Sequence, residues 1–295
     1  MAAEMTEREE IKKIQAELKK EHRKLRIHKF LKNKSAMIGG TLTLLMVLTA
    51  VLAPLFAVDP VAMDMVSRLS GPSAAHWFGT DNFGRDLFSR VVNGARISIG
   101  VGAVVCVFTL IFGMTIGLLA SYYKKLDNVL MRICDGLKAI PNLLLAIALM
   151  AMLGASVRNV VIALVVVHTP DIARITRSAA LVVKEQTYIE SMRALGAKPV
   201  RIILSHIAPN VLSPVIIQIS FIFARAIIIE ASLSFLGAGV PAPAPSWGNI
   251  LSDGKDLIYN APWMILFPGI FMALTVLGLN LFGDGLRDVL DPMTN

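Results

Sequence analysis

Residues Ala36 to Val58 read AMIGGTLTLLMVLTAVLAPLFAV, and Ile97 to Tyr123 read ISIGVGAVVCVFTLIFGMTIGLLASYY; neither stretch holds a charged side chain. A bilayer core of about 30 Å is crossed by roughly 20 apolar helical residues, so each block can span it. A helix in a soluble core seldom stays uncharged on every face for so long. Composition agrees, since 55% of the 295 residues are apolar and mean hydropathy is +0.64. That is well above the balance of a soluble domain of this size. The chain reads as an all-α polytopic membrane protein of about six transmembrane helices.

Outward from these two blocks, further spans are expected at about 129–154, containing Pro141, and 157–180, containing Pro170. Two more are expected at about 211–236 and 262–283. A mixed polar segment, 59–96, separates the first two spans, and a polar loop, 181–209, follows the fourth. The run Gly237 to Pro245, with its alternating prolines, ends the fifth helix. The division expected is a cytoplasmic basic amphipathic helix over 1–35 and one transmembrane domain over 36–295.

The first 35 residues hold eleven Lys or Arg and six Glu, too long and too charged for the n-region of a signal peptide. Thr6-Glu7-Arg8-Glu9 has the form of a capping box, and Ile11, Ile14, Leu18 and Leu25 recur at helical spacing. The basic end from Arg23 to Lys34 suits anionic lipid head groups; a solvated charged tail is the other reading. Either way the cluster holds the N-terminus inside. Counted over the whole layout, with Arg174 and Arg177 at the inner end of span four and Arg158 at its outer end, twenty basic residues fall on the cytoplasmic side against six outside, which puts both termini in the cytoplasm.

Spans three to five carry polar groups too deep for lipid. Arg132, Asp135 and Lys138 precede Pro141, and His168, Pro170, Asp171 and Arg174 interrupt span four. Buried charge of this kind faces a bundle interior or a watery cavity, and proline-interrupted helices are where transporters build their pathways. Arg132 and Arg174 also lie near enough to the interface to snorkel. The candidate pathway residues are Asp135, Pro141, His168, Asp171, Arg225 and Glu230, with Arg225 and Glu230 able to pair internally or across helices.

The loop after span four is the most informative stretch. Thr187-Tyr188-Ile189-Glu190 has capping-box form, Tyr188, Met192 and Leu195 make an apolar stripe, and Gly196 stands at a left-handed C-cap. Pro199 opens a second helix and Pro209 closes it. A two-turn helix is marginal alone in water, so this one needs something to dock against.

Glu190-Ser191-Met192-Arg193-Ala194-Leu195-Gly196, with Pro209 thirteen residues after the glycine, resembles the EAA loop of binding-protein-dependent ABC importer permeases. Glu190, Gly196 and Pro209 match in type and spacing; Ser191 and Met192 replace two alanines, and His206 and Ala208 stand where Ile and Leu are usual. The outer run His76 to Arg90, including Trp77, Gly79, Asp81, Gly84, Arg85 and Asp86, is similar to the second permease subunit of peptide and nickel importers. Gly94 to Ser98, Glu230 to Gly237, Ser246-Trp247-Gly248 and Gly283 to Pro292 extend the likeness over roughly 30–292.

The resemblance implies a type I importer permease in the bacterial or archaeal cytoplasmic (inner) membrane. It implies a sister permease subunit, two cytoplasmic ATPase subunits and an external solute-binding protein as partners, beside membrane lipid and without nucleic acid. Tyr188, Glu190, Ser191, Met192, Arg193, Leu195, Gly196 and Pro209 become candidate ATPase-coupling residues. Peptide is the default solute, with nickel or another small solute the alternative.

No residue is a candidate catalyst, and no metal site is expected. The chain lacks G-x-x-x-x-G-K-[ST] and H-E-x-x-H, and His76, His168 and His206 are scattered. ATP and Mg are therefore expected on partner subunits. Cys106 and Cys134 read as small buried hydrophobes, and Asp81, Arg85 and Asp86 as a structural network rather than a hydrolytic centre. An ATP-independent transporter or channel, and a membrane scaffold without a pathway, are the rivals.

Overall fold

The structure, a computed structural model, describes residues 28–56 and 59–290 together with Glu17, Glu21, Lys24 and Leu25. Most of the first half of the basic helix expected over 1–35, including its box at Thr6, lies outside the described residues.

The elements in chain order are α1 (Lys34–Phe56), α2 (Leu87–Tyr122), α3 (Lys124–Lys138), α4 (Asn142–Leu153) and α5 (Val157–Lys184). Then come α6 (Thr187–Ala194), α7 (Pro199–Ile202), α8 (Ala208–Phe235), α9 (Trp247–Gly254) and α10 (Trp263–Leu290). No strand occurs among the described residues. Five helices are long and apolar enough to cross a membrane: α1, α2, α5, α10 and the run Pro199–Phe235 that joins α7 to α8.

The third span departs from expectation. Instead of one helix over 129–154, α3 and α4 meet at an angle of 94°. Pro141 has no N–H and disfavours helical geometry at the residue before it, and its own ψ of 134° starts the chain in a new direction. With 12 residues, α4 is only about 18 Å long and cannot cross a 30 Å core alone. The pair therefore makes one broken span.

Helix α2 begins ten residues earlier than the apolar block, because the Asp86 carboxylate caps it, accepting from the Ser89 amide at 2.8 Å. Helix α5 continues through Pro170 without a break. Pro209 does not close the second helix of the loop. It sits in the first turn of α8, and a π-helical turn over Ile203–Ile207 carries the chain from α7 straight into it. A proline cannot donate to the carbonyl four residues back and crowds it, and a wider turn immediately before it relieves both problems.

Lipid tails are as apolar as leucine, so spans are held by close packing. Gly113 and Gly117 of α2, four residues apart, let α5 lie directly on that face. A Cβ at Gly117 would stand 2.5 Å from the Ala173 carbonyl oxygen, and one at Gly113 would stand 2.5 Å from the Ile172 Cβ. Gly39 of α1 and Gly285 of α10 make a second contact, where added carbons would strike the Phe282 amide and the Ala36 backbone. Gly102 of α2 admits the Phe223 ring of α8, 2.7 Å from where a Cβ would be. Around these contacts Val101, Val105, Leu145, Met150, Leu164 and Leu233 join α2, α4, α5 and α8 in one apolar cluster.

Gly117→Val should push α5 off α2 and cost about 1–3 kcal/mol, read as a lowered thermal midpoint of the purified protein. Gly269→Ala, on α10 with no atom within 4 Å of the added carbon, should leave that midpoint unchanged or slightly raised.

Candidate functional site

Helix α6 lies at one end of the bundle. Its start is not the expected capping box: Gln186 is the N-cap, its side chain makes no capping bond, and Thr187 is already helical. Only Glu185 and Gln186 separate α6 from α5, so the chain turns too soon for Thr187 to occupy the capping position. The other end is as expected. Gly196 has φ +77°, its amide donates to the Arg193 carbonyl at 2.9 Å, and the Ala197 amide donates to the Met192 carbonyl at 3.0 Å. These two bonds form a Schellman closure, and the left-handed residue in it is the glycine.

The apolar stripe is not what holds α6 down. Ile189, absent from that stripe, is 0% exposed and packs with Leu118 of α2, Ala180 and Val183 of α5, and Ile202, Ile207 and Val211 around the start of α8. The Asn210 amide donates to the Tyr188 hydroxyl at 3.3 Å and to the His206 carbonyl at 2.6 Å. The Arg193 guanidinium stands 5.5 Å from the centre of the Tyr122 ring at the end of α2. Helix α6 is thus pinned to the ends of three spans by its own chain. Met192 is half-buried, whereas Tyr188, Glu190, Ser191 and Pro209 are exposed. Leu195 is 86% exposed, and Val200 and Leu204 are also open, which leaves a bare apolar patch on this end of the molecule.

At the opposite end the 59–96 segment folds around a buried ionic network. Asp81 accepts from the Phe83 and Arg85 amides at 2.8 and 3.0 Å and pairs with Arg85 Nε at 2.6 Å and Arg90 at 3.0 Å. Both guanidinium groups also reach Asp253 of α9 at 3.1 Å, so the segment is tied to a helix more than 160 residues away. Burial pushes the Asp253 carboxyl up and Arg85 draws it back down, while the neighbouring Asp81 charge adds to the rise. Asp86, besides capping α2, lies 3.0 Å from His76 Nδ1. Gly79 and Gly84 both have positive φ, and a Cβ at Gly84 would fall on the Asp64 carbonyl. Trp77 is exposed, with its ring 5.0 Å from that of Phe88. The Trp263 indole donates to the Thr80 carbonyl at 3.1 Å and the Trp247 indole to the Val91 carbonyl at 3.0 Å.

The charges of spans three and four form a ladder between α3 and α5. Arg177 grips Asp127 with two bonds at 2.5 and 2.6 Å, Arg174 reaches Asp135 at 2.6 Å, and Lys138 reaches Asp171 at 2.9 Å. Asp135 is exposed beside Arg132 in a polar cavity of about 530 Å³. Asp171 is mostly enclosed, and His168 is fully buried with Nδ1 at 3.7 Å from it. Pro141 marks the break. Arg225 and Glu230 do not pair: five residues apart, they leave α8 in different directions. Glu230 is 0% exposed and accepts from the Ser234 hydroxyl at 2.8 Å, whereas Arg225 is exposed.

Sequence reasoning missed Ile189, because it looked for an exposed stripe rather than an anchor. It also missed Arg90 and Asp253 as partners of Asp81, which only the fold brings together. Gly113-x-x-x-Gly117 is a signal that would have found the α2–α5 contact.

A bundle of five long spans and one broken span, with a short helix pinned across three of them at one end, is the architecture of a type I importer permease. A solved inward-facing form of the MetNI methionine ABC transporter matches it with a TM-score of 0.58, at 22% identity over 69% of this chain and 97% of that one. Residues 109–295 match the family described as binding-protein-dependent transport system inner membrane component. Residues 24–72 match the N-terminal TM domain of oligopeptide transport permease C. The chain belongs to that binding-protein-dependent permease family, and is a multi-pass inner-membrane permease subunit of an ABC importer. Its relatives include the dipeptide transport system permease protein DppC of Alkalihalophilus pseudofirmus, 48% identical over 88% of this chain and 86% of that one. The oligopeptide transport system permease protein OppC of Bacillus subtilis is 40% identical over 90% and 87%, and the glutathione transport system permease protein GsiD of Pectobacterium atrosepticum 43% over 90% and 89%. Such permeases work with other ABC transporter subunits, ATPases among them.

Asp81→Asn leaves Asp253 as the one carboxylate opposite two buried guanidinium groups and should cost about 3–5 kcal/mol, measured as a lower thermal midpoint with faster proteolysis of the 59–86 segment. Gly196→Ala meets no atom within 4 Å yet must hold the left-handed conformation. It should cost about 1–2 kcal/mol, seen as faster amide exchange of α6 alone.

Proposed function

We propose that this chain forms half of the translocation pathway of an ATP-driven peptide importer. It works with a sister permease, two cytoplasmic ATPase subunits and an external solute-binding protein. The observation that carries the reading is α6, whose inner side is fastened by Ile189 to the ends of α2, α5 and α8 while Leu195, Val200 and Leu204 remain bare. A partner gripping that bare side moves three spans at once. In this reading the ATPase holds Tyr188, Glu190, Ser191, Arg193 and Leu195, with Gly196 and Pro209 shaping the loop. ATP and Mg bind the ATPase subunits, and this chain contributes no catalytic group or cofactor site.

The α6 end and both termini lie in the cytoplasm, as the excess of basic residues supports. The Asp81 network shapes the outer face that meets the solute-binding protein. An apolar groove of about 750 Å³ between α2 and α5, lined by Val104, Phe108, Phe112 and Val165, is the face turned to the sister permease. Asp135, Asp171 and Arg225 line or border the pathway, and Pro141 lets the broken span bend beside it. Peptide is favoured over nickel by relatives named for dipeptide, oligopeptide and glutathione transport.

Affinity purification of the tagged chain from its native membrane should bring down an ATPase, and Glu190→Lys or Gly196→Pro should abolish that association while the sister permease stays bound. An ATPase retained at full yield by both variants contradicts the assignment of α6.

A further inference from the structure

Among the described residues three cations of the third and fourth spans meet carboxylates: Lys138 meets Asp171, Arg174 meets Asp135 and Arg177 meets Asp127. Arg225 makes no such contact and its side chain is exposed. It is also deep, ten residues before the end of α8 at Phe235. At 1.5 Å per residue that is about 15 Å from the helix end, close to half the thickness of a 30 Å core. An arginine so far from a helix end is poorly placed to snorkel, and a bare guanidinium against lipid is costly.

Exposed Ile228 and half-buried Ser232, three and seven residues on, share its side of the helix, while buried Ala226, Ile227 and Ile229 turn α8 toward its own bundle. A lone guanidinium at this depth is too costly against hydrocarbon, so it is the arginine itself that marks this open side of α8 as a boundary with solute or a partner. A guanidinium there offers a planar fork of donors, the geometry that matches a carboxylate with two parallel bonds.

Resting on the peptide-importer reading above, we propose that Arg225 is a specificity-determining residue that engages the α-carboxylate of the solute at mid-membrane. A peptide of any sequence carries that group, so one fixed arginine serves many side chains. An acidic residue of the sister permease, or a lipid phosphate, would be the competing occupant, and neither would make transport depend on the solute's C-terminus.

The test uses the complete importer in proteoliposomes, with ATP-driven uptake of a tripeptide bearing a free C-terminus and of the same tripeptide as its C-terminal amide. At saturating loaded binding protein, the ratio of acid to amide uptake is compared among variants, so that selection by the binding protein cancels. Arg225→Gln should slow the acid about tenfold, as expected for loss of one charge-assisted pair, and leave the amide rate alone. Arg225→Lys should recover much of the acid rate. An acid-to-amide ratio unchanged by Arg225→Gln, whether both rates fall together or neither falls, overturns the proposal. Wild-type complex that moves neither peptide with ATP defeats the peptide-importer reading instead.

Discussion

Two helix backbones in a membrane approach most closely where small residues face each other, glycine above all, and the arrangement of this bundle depends on that constraint. Water does not drive apolar faces together inside hydrocarbon, so the spans gain from van der Waals contact at short range or not at all. Gly113 and Gly117 bring α2 onto α5, Gly102 admits the Phe223 ring, and Gly39 and Gly285 lock α1 against α10. With α2 and α5 in contact, the Asp–Arg and Asp–Lys pairs between α3 and α5 follow, because α3 continues from α2 after a single residue. The same contact brings the ends of α2, α5 and α8 together at the point where α6 needs a floor.

Helix α6 has a divided character that suits transmission. One side is built into the chain through Ile189, the ring of Tyr122 and the amide of Asn210. The other is solvent-facing, apolar at Leu195 and acidic at Glu190. A rigid turn at Gly196 joins the two loop helices. The helix is therefore shaped before any partner arrives, which replaces the expectation that it would require a partner to hold its form.

The sequence revealed the spans because a charge-free run longer than about 20 residues suits a bilayer and little else. It revealed Gly196 because a glycine after an eight-residue helix answers a backbone need that few other residues meet. It did not reveal where the third span breaks: Pro141 marks a bend, but the 94° angle depends on what α3 and α4 pack against. Pro209 misled, since a proline after a short helix usually ends it, and the π-helical turn that absorbs it has no marker in local composition. Arg225 and Glu230 were expected to be able to pair internally or across helices, and the structure separates them. Only the placement of α2 and α9 around the outer part of α8 separates a carboxylate sealed in the core from a guanidinium left open. The Arg90–Asp253 contact joins residues too distant in the chain for any local pattern to register.

Transmission through α6 is probed most directly by peptide accumulation in proteoliposomes holding the whole complex with its binding protein, where ATP is supplied selectively to one face. Peptide should accumulate in the compartment that α6 faces, and only when hydrolysable ATP is present on that side. Accumulation at the same rate without ATP, or driven by ATP on the Trp77 face, would show that α6 is not where the motor acts.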